Sequence, residues 1–327
     1  MELTDNTTLK QINDCPAFSQ AKGHLIAGWK KEFENERTLE DLQRQYPTWN
    51  SDDIIFGLNN LRRISATEKQ YLFYPDEHNR NVCLFYLPSE NRIHHEYFML
   101  LAGGAYGSVC TMIETLPVAA RLNELGFDVF CVNYTVADQS SFEEGLMPRP
   151  LKDVSDCWKW IRKNEDIFKV KAEDFFLGGF SAGGHLAGCY ALSRIGAERY
   201  GAANPKGLLL VYPLISLESI NNERIKEYMK LGLFGSRNRN DPSDYEIHLN
   251  ITESYPKTFY VHCLDDDTIP ENNPLLMKEA LEKNNVVCFF DTYEKGGHGF
   301  GLGSRNPGST YLDKAVEFLL KEDSHET

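Results

Sequence analysis

The sequence predicts an α/β protein: a mostly parallel sheet of eight strands with helices on both faces, preceded by a helical extension. Three observations carry this. From residue 69 onward, short apolar runs alternate with stretches of helical periodicity, the pattern of a parallel sheet buried between two helical layers. A serine, Ser181, stands directly behind one apolar run and directly ahead of a small-residue helix, with glycine two places before it and two after. The chain is 327 residues long and 42% hydrophobic, enough for one large core.

Residues 1–65 read as helices and turns that form an extension to the main domain, 66–327. Thr38 with Asp41 has the form of a capping box ahead of Leu39 and Leu42, and Ser51 is expected to cap a helix whose Ile54, Leu58 and Leu61 share a face. The extension is expected to pack on one side of the sheet or to shape the rim of a site; it also leaves a homodimer open. Strands are expected at 71–74, 82–87, 97–101, 128–134, 174–180, 207–212, 258–263 and 286–293. Helices are expected near 114–125, 151–164, 183–194, 272–284 and 310–321. Val154, Cys157, Trp158 and Ile161 recur at i, i+3, i+4 and i+7, one apolar helix face. The run 213–257 breaks the rhythm. So long an excursion from a strand end is either a lid over a site or a peripheral helix pair, and the sequence admits both.

Charge and cysteines narrow the partners. A formal net charge of -14 opposes nucleic acid and anionic membrane surfaces and favours a small neutral or cationic substrate. Residues 1–6 carry neither a basic nor an apolar signal, and no run approaches membrane-spanning length, so a cytoplasmic protein is expected. The eight cysteines have no paired metal-ligand spacing, and several lie in apolar runs as small core residues.

The turn Gly179-Phe180-Ser181-Ala182-Gly183-Gly184 is a strand-to-helix elbow. It raises the serine hydroxyl out of the sheet and aims the Ala182 N–H at whatever the serine attacks. A serine hydroxyl needs a base, the base needs an orienting carboxylate, and a developing oxyanion needs donors. Of nine histidines, His298 alone follows a late strand within glycines, Gly296-Gly297-His298-Gly299. His185 reads as structural, His262 as core, and His94 with His95 as solvated surface. The carboxylate is sought at the end of the preceding strand, in Asp265-Asp266-Asp267-Thr268-Ile269-Pro270. Asp266, four residues before the proline that opens the next helix, is preferred, with Asp267 second. The triple aspartate lacks the alternate spacing and distal glutamate of a calcium loop. Gly103-Gly104-Ala105-Tyr106-Gly107, after the third strand, is the candidate donor loop, with the Gly104 and Ala105 amides joining Ala182. It contains no dinucleotide fingerprint.

Together these residues resemble the α/β-hydrolase superfamily over roughly residues 69–321, and within it the small carboxylesterases of the acetyl-xylan-esterase-like and feruloyl-esterase-like branch, near the hormone-sensitive-lipase group. The marks are AGGAYG at 102–107, Asn133-Tyr134, Arg149-Pro150-Leu151 with Asp153, GFSAGGH at 179–185, DDDTIP at 265–270 and GGHGFG at 296–301. The chain order Ser181, Asp266, His298 is the order that fold uses. Ala102 stands where such relatives often carry histidine or proline. The resemblance implies hydrolysis of short acyl esters, acetyl groups on sugars among them, through an acyl-enzyme and without a cofactor. Tyr106, Phe180 and the 213–257 run are the candidates for the substrate pocket. Two alternatives are a serine peptidase of the prolyl-oligopeptidase kind and a non-catalytic hydrolase-like binding protein. The first would normally bring a gating domain larger than this extension, and the second commonly loses the histidine.

Overall fold

A computed structural model describes residues 2–28, 36–237, 240–305 and 310–321; residues 238 and 239 of the 213–257 run lie outside the described residues. Eight strands form one sheet among them: β1 (Leu72–Phe73), β2 (Cys83–Leu87), β3 (Tyr97–Leu101), β4 (Asp128–Asn133), β5 (Phe175–Phe180), β6 (Gly207–Val211), β7 (Lys257–Cys263) and β8 (Cys288–Tyr293). Their spatial order is β1-β2-β4-β3-β5-β6-β7-β8. β2 pairs antiparallel with both β1 and β4, and every pairing from β4 to β8 is parallel. Every residue of β3, β4, β5 and β6 is buried, as covering both faces of a parallel sheet requires.

Alternation along the strands divides the core. Tyr97, Met99 and Leu101 face one hydrophobic cluster, shared with the helices Arg149–Lys163 and Ala182–Tyr190. Phe98 and Leu100 face the other, which the helices Thr115–Glu124 and Tyr311–Leu320 cover together with the extension. The extension buries Leu39 and Leu42 from the helix Leu39–Gln45, and Ile54, Leu58, Leu61 and Ile64 from the helix Ser51–Thr67. The Thr38 and Asp41 capping box is formed. The expected Ser51 cap is not: the cap is Asn50, whose Oδ1 accepts from the Asp52 N–H at 3.1 Å, and Ser51 is the first helical residue. The helix Arg149–Lys163 begins two residues before its expected start because Pro150 is tolerated in a first turn, where no intrahelical N–H is needed.

The 213–257 run contains the helix Glu223–Phe234, capped by Asn222, and two short turns of helix, Pro242–Tyr245 and Ile247–Asn250. All eight cysteines are unpaired thiols. No helix among the described residues is long and apolar enough to cross a membrane.

Candidate active site

β5 runs into the helix Ala182–Tyr190 through Ser181 alone, whose φ of 50° and ψ of -119° are strained for a residue with a Cβ. The flanking glycines are dictated by contact. A Cβ on Gly179 would lie 2.3 Å from the Gly183 carbonyl oxygen, and one on Gly183 would lie 2.2 Å from that of Leu101. The elbow leaves Ser181 half-buried, with its hydroxyl at the carboxyl ends of the parallel strands.

The loop after β8 brings His298 onto the serine. Ser181 Oγ lies 2.9 Å from His298 Nε2, and His298 Nδ1 lies 2.7 Å from Asp266 Oδ2. With Nδ1–H donating to the carboxylate, Nε2 is left to accept from the serine hydroxyl. Asp266 Oδ1 accepts the N–H groups of Thr268 at 2.9 Å and Ile269 at 2.8 Å. Burial alone would raise the Asp266 carboxyl. The hydrogen bond and charge of His298 and those two amides outweigh it and hold the group below its ordinary value. Asp265 has a different duty: it accepts from the Gly297 N–H at 2.8 Å and so ties down the loop that carries the imidazole. Asp267 touches neither His298 ring nitrogen; its Oδ1 accepts from the Thr268 hydroxyl.

The loop after β3 passes through three consecutive positive φ angles, 129° at Gly104, 51° at Ala105 and 59° at Tyr106. Ala105 and Ser181 border the same two cavities. Among the described residues no internal acceptor takes the N–H of Gly104 or Ala105, and Ala182 opens its helix, where an N–H has no partner one turn back. All three amides are thus available for an oxyanion.

Tyr106 and Phe180, expected in the pocket, are placed elsewhere. The left-handed turn folds the Tyr106 ring beneath the loop, 1% exposed, where its hydroxyl donates to His185 Nδ1 at 2.8 Å. His185 is fully buried, its Nε2–H donates to the Tyr245 carbonyl at 2.8 Å, and burial pushes its pKa down to about 4, so it is neutral. Phe180 is the last residue of β5 and turns into the core on the sheet's other face. His262 is buried in β7, while His94 stacks on Phe127 with ring centroids 3.9 Å apart instead of standing in solvent.

Two neighbouring residues had no reading from the sequence. Glu114 is buried beneath the donor loop, where Oε2 accepts from the Gly103 N–H and Oε1 from the Tyr212 hydroxyl at 3.0 Å. The same Tyr212 hydroxyl accepts from the Gly301 N–H at 2.9 Å, and the Tyr212 ring meets His298 edge-on, centroids 4.9 Å apart. One chain of bonds therefore joins the donor loop to the histidine loop. Burial pushes the Glu114 carboxyl up to about 7, against the pull of its two donors and of His298. The available signal was a single carboxylate inside the otherwise uncharged run 109–120.

Two cavities meet at Ser181 and Ala105. One, of about 860 Å³, has walls from the 213–257 run and the loop after β7, including Leu214, Ile220, Ile225 and Met229. The other, of about 510 Å³, is bordered by His298 and by residues 45–49 of the extension. Among the described residues no group of three or more His, Cys, Asp or Glu could hold a metal ion.

The chain is similar to known proteins. Residues 99–302 match the model of the alpha/beta hydrolase fold family, and the chain belongs to that family. It is 26% identical over 209 residues to the acetylxylan esterase of Xylanibacter ruminicola, covering 62% of this chain and 40% of that protein. It is 21% identical over 248 residues to endo-1,4-beta-xylanase B of Butyrivibrio fibrisolvens, covering 72% of this chain and 38% of that one. The chain thus spans about two fifths of the length of these curated relatives. Among solved structures, the acetyl ester-xyloside bifunctional hydrolase from Caldicellulosiruptor lactoaceticus superposes with a TM-score of 0.61 at 26% identity, covering 74% of this chain and 89% of that one.

Proposed function

We propose that the protein is a serine carboxylesterase that hydrolyses short acyl esters, acetyl groups on sugars among them. The observation that carries this reading is the unbroken relay Ser181 Oγ, His298 Nε2, His298 Nδ1, Asp266 Oδ2, with spacings of 2.9 and 2.7 Å, next to three available amides. The likeness to an acetylxylan esterase and to an acetyl ester-xyloside hydrolase supports the choice of acyl group and alcohol.

Ser181 Oγ attacks the ester carbonyl carbon while its proton passes to His298 Nε2. The carbonyl oxygen becomes an oxyanion held by the N–H groups of Ala182, Gly104 and Ala105; one such donor is worth roughly 3 kcal/mol in the transition state. Asp266 keeps the ring in the required tautomer and stabilises the imidazolium. The tetrahedral species collapses, the bond to the alcohol oxygen breaks, and Nε2 returns its proton to that oxygen. Water then attacks the acyl-enzyme, giving a proton to Nε2 as it does so. The second collapse frees the acid and reprotonates Ser181.

A fluorophosphonate probe should label the wild type and fail to label Ser181→Ala, and ester hydrolysis should fall by about 10⁴-fold or more in that variant. A folded wild type that takes no label overturns the proposal. A wild type that cleaves proline peptides and no esters replaces it with a peptidase.

A further inference from the structure

We infer that the amino-terminal extension builds the leaving-group side of the site, so that the cavity walled by residues 45–49 receives the sugar ring of the alcohol and the cavity walled by the 213–257 run receives the acyl group. The inference rests on the esterase reading and divides that site in two.

The division follows from the path of one proton. The imidazolium must deliver its proton to the alcohol oxygen as the ester bond breaks, so the alcohol must leave on the side that His298 borders. Among the described residues His298 lines the cavity of about 510 Å³ and not the larger one, whereas Ser181 and Ala105 line both, as the reacting carbon and its oxyanion require. The acyl chain, which receives no proton, is left with the cavity of about 860 Å³.

The apolar parts of the two walls differ, aromatic on one side and aliphatic on the other. On the leaving-group side Tyr46 and Trp49 stack with ring centroids 4.1 Å apart and an interplanar angle of 27°; Trp49 is buried and backs the half-buried Tyr46. Beside this pair stand acceptors, the Gln45 amide and the Asp265 and Asp267 carboxylates, and no described lysine or arginine lines the cavity. An aromatic plane suits the C–H face of a pyranose ring, the acceptors suit its hydroxyls, and the carboxylates disfavour an anionic alcohol. The volume is far more than methanol or ethanol would fill. On the acyl side the apolar part of the wall is aliphatic, from Leu214, Ile220, Ile225, Met229, Leu264 and Ile269, set among Asn221, Asn222, Asp267 and Glu271.

The test uses two acetate esters that form the same acetyl-enzyme, methyl 2-O-acetyl-β-xyloside and ethyl acetate, with the full chain. Tyr46→Leu keeps bulk against Trp49 and removes the aromatic plane. It should lower kcat/KM for the xyloside by about tenfold and leave ethyl acetate within about twofold, a loss of the size of one aromatic contact. Tyr46→Phe, which retains the ring, should stay within about threefold on both esters, and deacylation of the acetyl-enzyme should be unchanged in each variant. An equal fall on both esters, or no fall on the xyloside, overturns the inference while leaving the esterase reading intact. If the wild type hydrolyses neither ester, both are overturned.

Discussion

On the extension side of Ser181, Trp49 is 8% exposed, the Thr48 hydroxyl donates to the His298 carbonyl, and Asn50 and Asp53 hold Ser304 through bonds of 2.9 and 3.1 Å. On the insertion side, the helix Glu223–Phe234 buries only Gly232, Leu233 and Phe234, while Ile225, Tyr228 and Leu231 are 51%, 64% and 40% exposed. That helix is fastened chiefly at its end, where the Gly232 and Leu233 carbonyls accept from Leu146 and Met147 at 3.1 and 2.9 Å. A segment with few buried contacts opens at lower free energy than one packed into the core. The extension therefore cannot shift without disturbing the loop that carries His298, whereas the insertion can vary while the contacts of Ser181, His298 and Asp266 stay in place. Tight coupling to the catalytic geometry belongs to one wall, and room for adaptation to the other.

The sharpest way to break that contrast is at the point the walls share. Asp267 and Thr268 border both cavities, and Asp266 borders the larger one from beneath the imidazole. If the walls select and the relay performs the chemistry, Asp266→Asn should lower kcat by roughly 10³- to 10⁴-fold, since the amide favours the wrong imidazole tautomer. Asp267→Asn should change kcat by no more than about threefold, because it touches neither ring nitrogen. Equal or reversed losses would transfer the orienting role to Asp267.

A smaller effect is expected from the bonds that make the extension side rigid. Glu114→Gln leaves one good acceptor where the Gly103 amide and the Tyr212 hydroxyl require two, so the donor loop and the histidine loop lose their common anchor. Displacement at that scale should cost about tenfold to a hundredfold in kcat/KM. The pH dependence identifies the cause. Around Glu114 stand Cys110 on its own loop, Tyr134 after β4, Tyr212 after β6, His298, and Tyr311 on the last helix. Because burial lifts the Glu114 carboxyl from 4.5 to about 7, the folded protein holds this proton more tightly than the unfolded chain does between those values. Stability on this account is full below pH 4.5, falls as pH rises toward 7 by on the order of 3 kcal/mol, and is level above it. The carboxylate able to accept both bonds forms in the folded protein around pH 7, at the upper edge of that window, so activity should rise there, where stability has already fallen. Denaturant unfolding and kcat/KM measured from pH 5 to 8 should both become flatter in Glu114→Gln, and parallel curves for the two proteins would sink the assignment.

What the sequence made legible was set by local sterics and what it hid was set by long-range packing. The elbow could be read because only glycine tolerates the approaches at 179 and 183, and Asp266 could be singled out because Pro270 fixes where the loop ends. Strand positions followed from apolar runs, with errors at their ends: β8 starts at Cys288 and not 286, since the Val286 N–H closes the preceding helix on Leu281. Asn50 and Ser51 are both good caps one residue apart, so composition could not choose between them. Tyr106 and Phe180 read as pocket residues in the sequence because they adjoin the donor loop and the serine. Adjacency in sequence says little about direction when a left-handed turn or strand alternation decides it. Tyr46, Trp49 and Glu114 reach the site from more than sixty residues before Ser181, through contacts no local pattern records.

The smallest expected effect falls on the adaptable wall. Ile225 and Met229 border the acyl cavity from a helix face that is itself partly exposed, so shortening either removes contact without opening a sealed void, and the usual cavity penalty should be muted. With p-nitrophenyl acetate, butyrate and hexanoate the leaving group is constant and only the acyl chain grows. Acetate is the shortest of the three acyl groups, so Ile225→Ala and Met229→Ala should leave its kcat/KM within about twofold and lower that of the hexanoate by about threefold, the worth of a partial aliphatic contact. The direction carries more than the size. A loss confined to the longer acyl groups assigns the insertion to the acyl side, whereas a loss that tracks the alcohol, appearing with the acetylated xyloside and not with the hexanoate, would exchange the two walls. In that event the proton from His298 would have to reach a leaving oxygen in a cavity His298 does not border, and the histidine loop would have to move during turnover.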